Sequence, residues 1–241
     1  ATLSGTPDHS NIGNSQVVLA ATDGANQGTQ SFTINVSAAG NSKPLITNVN
    51  ITPASPVTRQ AITISANITD SDGSVIKVLL GWGVTAGNLS NTYEMQFENG
   101  AYSAPIASQT SPGTIYFQLA AIDNLQDTAY YNGSFTVNLN QVPTISSVSH
   151  TPTNPTSADA VTVTANVSDP EGRIGNIFLL WGITESSLIN QLQMSGTNGV
   201  YTSVIPANPS QTSVYYRVKA YDAEGQQTLS SISSYIVNPA T

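Results

Sequence analysis

The chain has no cysteine among its 241 residues. That absence removes a disulfide framework, a thiolate metal site and a cysteine nucleophile together. Positive charge is nearly as scarce. Six Lys and Arg stand against 14 Asp and Glu, giving a net charge of −8 with no basic cluster, so neither nucleic acid nor an anionic membrane surface is an expected partner. The two histidines, His9 and His150, occupy unrelated positions, and an imidazole-based triad or zinc site would need more. A carboxylate pair for glycoside hydrolysis is not excluded by counting, but every candidate lies in a turn, and the expectation is a non-catalytic protein. No apolar run approaches the length of a membrane span, so insertion is not expected. The first residue is Ala rather than Met, which leads us to expect that a leader or a larger upstream region has been removed.

What is present is apolar material in a regular pattern. Hydrophobic residues make up 39% of the chain and charged residues only 8%, a folded composition whose surface polarity comes from Ser, Thr, Asn and Gln. It reads as an exported protein, expected outside the cell or at its surface. Laid over each other at an offset of 99, residues 44–127 and 143–226 align without a gap: Pro44/Pro143, Asp70/Asp169, Gly73/Gly172, Trp82/Trp181, Met95/Met194, Gly100/Gly199, Tyr116/Tyr215 and Asp123/Asp222 all coincide. An ungapped match of this length indicates duplication.

Within each copy the hydrophobic period is two. Ile62, Ile64, Ala66 and Ile68 alternate with polar residues, as do Val161, Val163, Ala165 and Val167. Later, Ile115, Phe117, Leu119 and Ala121 are answered by Val214, Tyr216, Val218 and Ala220. Both are strands with one face in a core. About seven such strands per copy, punctuated by Gly, Pro, Asn and Asp, make the expected fold all-β: tandem seven-stranded antiparallel sandwiches in a rod.

The stretches "PTISSVSHTPTNP", "VTVTANVSDPEG", "NGVYTSVIPA" and "VYYRVKAYDAEG" carry a resemblance to the fibronectin type III-like or immunoglobulin-like modules of bacterial secreted and surface proteins. The expected domains are residues 44–139 and 143–239. Residues 1–39 differ. "LAATD" at 19–23 matches "LAAID" at 119–123, and "SFTIN" at 31–35 matches "SFTVN" at 134–138, so this segment reads as the last strands of an incomplete sandwich. Its "LSGTP" and "ATDG" resemble the C-terminal part of a cadherin-like, dystroglycan-type domain. The links "SAAGNSKP" and "NLNQVP" are short and end in Pro, which restricts bending.

In such a sandwich the turn after the second strand and the turn between the last two strands share one end. That would gather Asp70, Asp72 and Asp123, with Asp127 as a further candidate, in the first copy, and Asp169, Glu171 and Asp222, with Glu224, in the second. Clustered carboxylates suit Ca²⁺, which takes six to eight oxygen ligands. Asp and Gly also serve turns on their own account, neither link contains an acidic residue, and "DSDG" is too short for an EF-hand. No other cofactor is indicated. Trp82 and Trp181 could stack on sugar but share parity with core positions, while Tyr116, Tyr215 and Tyr221 have outward parity. The leading expectation is a structural or adhesive segment of a cell-surface stalk, adhesin or filament. Its expected partners are other domains or subunits of the same assembly, with a glycan or a cell-surface protein as further candidates. A variant is polymerisation by strand exchange, and the alternative is an accessory spacer or carbohydrate-binding region of a larger secreted enzyme.

Overall fold

The computed structural model describes residues 4–37 and 40–240, with the backbone alone at His9. Parts of the 1–39 segment singled out above, Ala1 and Leu3 included, fall outside the described residues. The described chain is built of antiparallel strands, and no helix in it is long and apolar enough to cross a membrane.

The first sandwich contains β3 (Leu45–Thr52), β4 (Ile62–Thr69), β5 (Val75–Gly83), β6 (Asn91–Glu94), β7 (Gln96–Glu98), β8 (Ala101–Ile106), β9 (Gly113–Asp123) and β10 (Thr128–Val137). They form two sheets, β3-β4-β8-β7 and β10-β9-β5-β6. About seven strands were expected and eight are found, because one expected strand is divided at Met95 into β6 and β7. The Met95 N–H donates to the Val78 carbonyl at 2.9 Å. Its side chain is buried, and the strand crosses from one sheet to the other at that point.

The second sandwich repeats this plan with β11 (Thr144–Thr151), β12 (Val161–Ser168), β13 (Ile174–Gly182), β14 (Asn190–Gln193), β15 (Ser195–Thr197), β16 (Val200–Ile205) and β17 (Ser213–Asp222). Met194 makes the same crossing, donating to Ile177. The last strand is split into β18 (Gln227–Leu229) and β19 (Ser233–Ile236), both paired with β17.

The period-two faces form the cores. Ile62, Ile64, Ala66 and Ile68 are buried with Ile115, Phe117, Leu119 and Ala121, and the second copy buries the matching set. Each fully buried aliphatic side chain contributes roughly 1.5–3 kcal/mol. Parity alone would also place Ile76 inside, yet it is 52% exposed. The register of β5 on β9 slips between Val75 and Lys77, and this bulge turns Ile76 outward.

Two glycine features of the repeat have a steric cause. Asn99–Gly100 and Asn198–Gly199 all have positive φ (52°, 84°, 54° and 81°) and form two-residue hairpin loops, for which Asn-Gly is the favoured pair. Gly83 and Gly182, which close "GWG" and "LWG", run against backbone. A Cβ there would overlap the carbonyl oxygen of Asn88 or Ser187.

Among the described residues 4–37 the strands are β1 (Gly13–Thr22) and β2 (Gln27–Val36), a two-stranded antiparallel sheet. The register places Val17, Leu19, Ala21, Phe32, Ile34 and Val36 on one face. Leu19 and Phe32 are 51% and 40% exposed. In the first sandwich the residues matched to Leu19 and Ala21, Leu119 and Ala121, are fully buried. An isolated two-stranded ribbon has little stability of its own.

Candidate functional site

The acidic residues singled out in the sequence do lie at one end of each sandwich, where the preceding link arrives. In the first copy the turn after β4 and the turn between β9 and β10 meet, with the Ser74 N–H donating to Asn124 Oδ1 at 2.9 Å and the Asn124 N–H to the Ser74 carbonyl at 3.0 Å. Asp123 ends β9 on the inward face and is fully buried. Its Oδ1 accepts the N–H groups of Leu125 and Asp127 at 2.8 and 2.9 Å, which is how Asp stabilises its own turn.

Sequence reasoning did not anticipate what occupies the other oxygen. The Asn41 side-chain amide donates to Asp123 Oδ2 at 2.8 Å and to Asp127 Oδ2 at 2.9 Å. The Ser42 N–H donates to Asp72 Oδ2 at 2.9 Å, and Asp70 Oδ1 accepts the Asp72 N–H at 3.3 Å. Burial pushes the Asp123 carboxyl up. The Asn41 amide and the backbone of Asp127, Leu125 and Gln126 outweigh that push and hold it below the usual carboxylate range.

The second copy repeats the arrangement. Asp222 Oδ1 accepts the Gln226 N–H at 2.7 Å and its Oδ2 accepts the Asn140 amide at 2.7 Å. The Gln141 N–H donates to Glu171 Oε2 at 3.3 Å, and Asp169 Oδ1 accepts from the N–H groups of Glu171 and Arg173 at 3.1 and 2.9 Å. Asn41 and Asn140 both stand three residues before the proline that opens their sandwich, Pro44 or Pro143. That spacing was the signal available in the sequence.

The six carboxylates expected as calcium ligands also serve the turns and links. Each of the six residues Asp70, Asp72, Asp123, Asp169, Glu171 and Asp222 accepts a turn or linker hydrogen bond, and only Asp70 Oδ2 and Asp169 Oδ2 stay buried without a partner. In the second copy a fixed cation is already present. Arg173 pairs with Glu224 at 2.6 Å, and this contact, with Asp169 and Asp222 nearby, holds the guanidinium above its ordinary range. No group of three or more His, Asp or Glu able to hold a metal ion occurs among the described residues.

The tryptophans are core elements. Trp82 is buried in the first cluster and Trp181 packs on the second. An asparagine amide, from Asn91 or Asn190, donates to the carbonyl of each at 3.3 Å. Tyr116, Tyr215 and Tyr221 are half-buried. Tyr221 is used locally, with Phe178 edge-on to it and the Lys219 ammonium 4.8 Å from its ring centre. Tyr215 lines an open depression of about 640 Å³ with Ile183, Thr184, Glu185, Ser186 and Ile232.

No family model matches the chain, and no curated protein matches it. Solved structures similar to it include the fibronectin(III)-like modules of CbhA from Clostridium thermocellum, 18% identical, covering 80% of this chain and 95% of that one with a TM-score of 0.35. A chimeric titin Z1Z2 is 13% identical over 84% of this chain and all of that one, with a TM-score of 0.47. The FN1–FN3 domains of chicken CNTN1 are 14% identical over 93% and 77%, with a TM-score of 0.39. These similarities are of fold, to tandem fibronectin type III-like and immunoglobulin-like domains. The cadherin-like resemblance of residues 1–39 has no counterpart in them.

Proposed function

We propose that this chain is a structural or adhesive segment of an extracellular assembly, in which β-sandwiches in series hold something away from a cell surface. One observation carries this reading: the acidic groups that looked most like a site are used to receive the links that join one unit to the next. Asp72, Asp123 and Asp127 receive the first link, and Glu171 and Asp222 the second. The partners of such a segment are other domains or subunits of the same assembly, which would also supply the strands that cover the apolar face of β1 and β2. Small-angle scattering from the 241-residue chain tests the reading. An elongated envelope, with sandwiches end to end, is expected, and a compact globular one would overturn it.

A second reading, an accessory region of a larger secreted enzyme that holds polysaccharide, is favoured by the open depression at Tyr215, where an aromatic ring borders the apolar Ile183 and Ile232. A glycan-binding screen with the parent and Tyr215→Ala separates the two. Binding that the variant loses would favour the accessory role.

A further inference from the structure

Five polar or charged residues are buried among the described residues: Thr58, Gln60, Asp123, Asn140 and Asp222. Three of them meet at the joint between the two sandwiches. The Asn140 N–H donates to Thr58 Oγ1 of the first sandwich at 3.0 Å, and its side-chain amide donates to Asp222 Oδ2 of the second at 2.7 Å. Its carbonyl accepts from Gln226 Nε2 at 2.9 Å. The link is also held on both sides of Asn140. The Thr58 N–H donates to the Asn138 carbonyl at 2.8 Å and the Asn138 N–H to the Pro56 carbonyl at 2.9 Å, while the Gln141 N–H reaches Glu171.

Bending here would break a charge-assisted hydrogen bond that is shielded from water, and such bonds are the stronger class and the costlier to leave unmade. The first joint is built differently. The Asn41 amide donates to both Asp123 and Asp127, where Asn140 donates to Asp222 alone, and Asn41 is only half-buried. No hydrogen bond among the described residues runs from Asn41 or Ser42 back to β1 or β2.

We infer that residues 44–239 move as one stiff two-sandwich body, locked by the Asn140 amide rather than by a metal ion. The inference deepens the proposed spacer role and rests on it for its biological use, since a stiff pair sets a fixed reach where a hinged pair would not.

Because the chain has no cysteine, spin labels can be placed cleanly at Glu98→Cys and Gln191→Cys, exposed strand positions in the two sandwiches. Double electron–electron resonance then reads the spread of inter-sandwich distances. A single narrow distribution is expected, unchanged by EDTA or added Ca²⁺, unchanged by Asn41→Ala, and lost in Asn140→Ala. A broad distribution in the labelled parent overturns the inference, and so does a narrow one that appears only with Ca²⁺ or that survives Asn140→Ala. Should Asn140→Ala disturb the fold by circular dichroism, the width in the parent and its response to EDTA decide. A broad distribution beside an elongated scattering envelope would remove the lock and leave the spacer reading standing.

Discussion

The Nδ1 atom of His150 lies 2.8 Å from the Tyr216 hydroxyl inside the second sandwich, at positions that the first sandwich fills with Ile51 and Phe117. A third residue changes with them. Tyr235 stacks at 5.1 Å from the His150 ring, and its pairing opposite Val214 matches that of Phe135 opposite Ile115. Two near-copies of one fold thus differ by an apolar trio in one sandwich and, in the other, a hydrogen-bonded His150–Tyr216 pair packed against the Tyr235 ring. Tyr216 is 1% exposed and Tyr235 7%, while His150 is half-buried.

That difference gives the second sandwich a response to alkali that the first lacks at this position. Burial pushes the Tyr235 hydroxyl up to about 12, and it pushes Tyr216 up as well, against a hydrogen bond with Ser233. An acid whose folded value is raised contributes stability that is complete below its unfolded value, near 10, and is lost as pH rises through the folded one. The thermal transition of the second sandwich is therefore expected to fall between about pH 10 and 12. The double variant Tyr216→Phe/Tyr235→Phe should lose most of that dependence. An equal slope in parent and variant, followed by calorimetry, would refute the assignment.

Asp123 sets the opposite dependence in the first sandwich. Its carboxyl is held below the ordinary range, so the stability it contributes is present above its unfolded value and is lost as pH falls through its depressed folded value. Acid unfolding of the first sandwich should become less steep in Asp123→Asn. Chemical-shift titration of the parent should find the Asp123 carboxyl among the last to protonate, and an early titration would count against the Asn41 contact.

Gly83→Ala and Gly182→Ala are expected to destabilise their own sandwiches by about 1–3 kcal/mol each, the range for forcing atoms into packed space. The added Cβ meets backbone, the Asn88 or Ser187 carbonyl, and not a side chain that could swing away. Gly87→Ala, with nothing near its Cβ but a φ of 77°, isolates backbone strain from steric overlap. Denaturant midpoints for the three variants would separate the two causes, and an unchanged Gly83→Ala would contradict the packing of that turn.

The Arg173–Glu224 pair should show the asymmetry of a partly buried ion pair. The Glu224 side chain is 3% exposed and Arg173 39%. Removing the arginine alone strands a carboxylate, a change that costs about 3 kcal/mol or somewhat less at a site this open. Arg173→Ser/Glu224→Leu installs the residues that the first sandwich has, Ser74 and Leu125, and should recover most of the loss. A double variant as unstable as the single one would show that the pair is not what matters there.

Much of the fold could be read from the sequence because strand faces are a local property. Ile62, Ile64, Ala66 and Ile68 alternate with polar neighbours, and a pleated backbone sends alternate side chains to opposite faces whatever the partner strand is. The repeat at an offset of 99 then doubled each inference, and the core tryptophans and the acidic end of each sandwich followed from it. Ile76 escaped because a one-residue bulge inverts parity, and a bulge depends on the partner strand's register. The use of the acidic end was hidden for a related reason. Asn41 and Asp123 are 82 positions apart, as are Asn140 and Asp222, and a side-chain amide in a link shows no periodicity that would announce its acceptor.

The sequence by itself determined the all-β class, the duplication and which strand faces are buried, because these depend on residue type at spacings of two along one strand. Only the tertiary structure decided that the carboxylates take linker amides, that Asn140 is buried between two sandwiches, and that His150, Tyr216 and Tyr235 meet. Those outcomes depend on which distant segments are brought within hydrogen-bonding distance, and chain connectivity alone does not specify that.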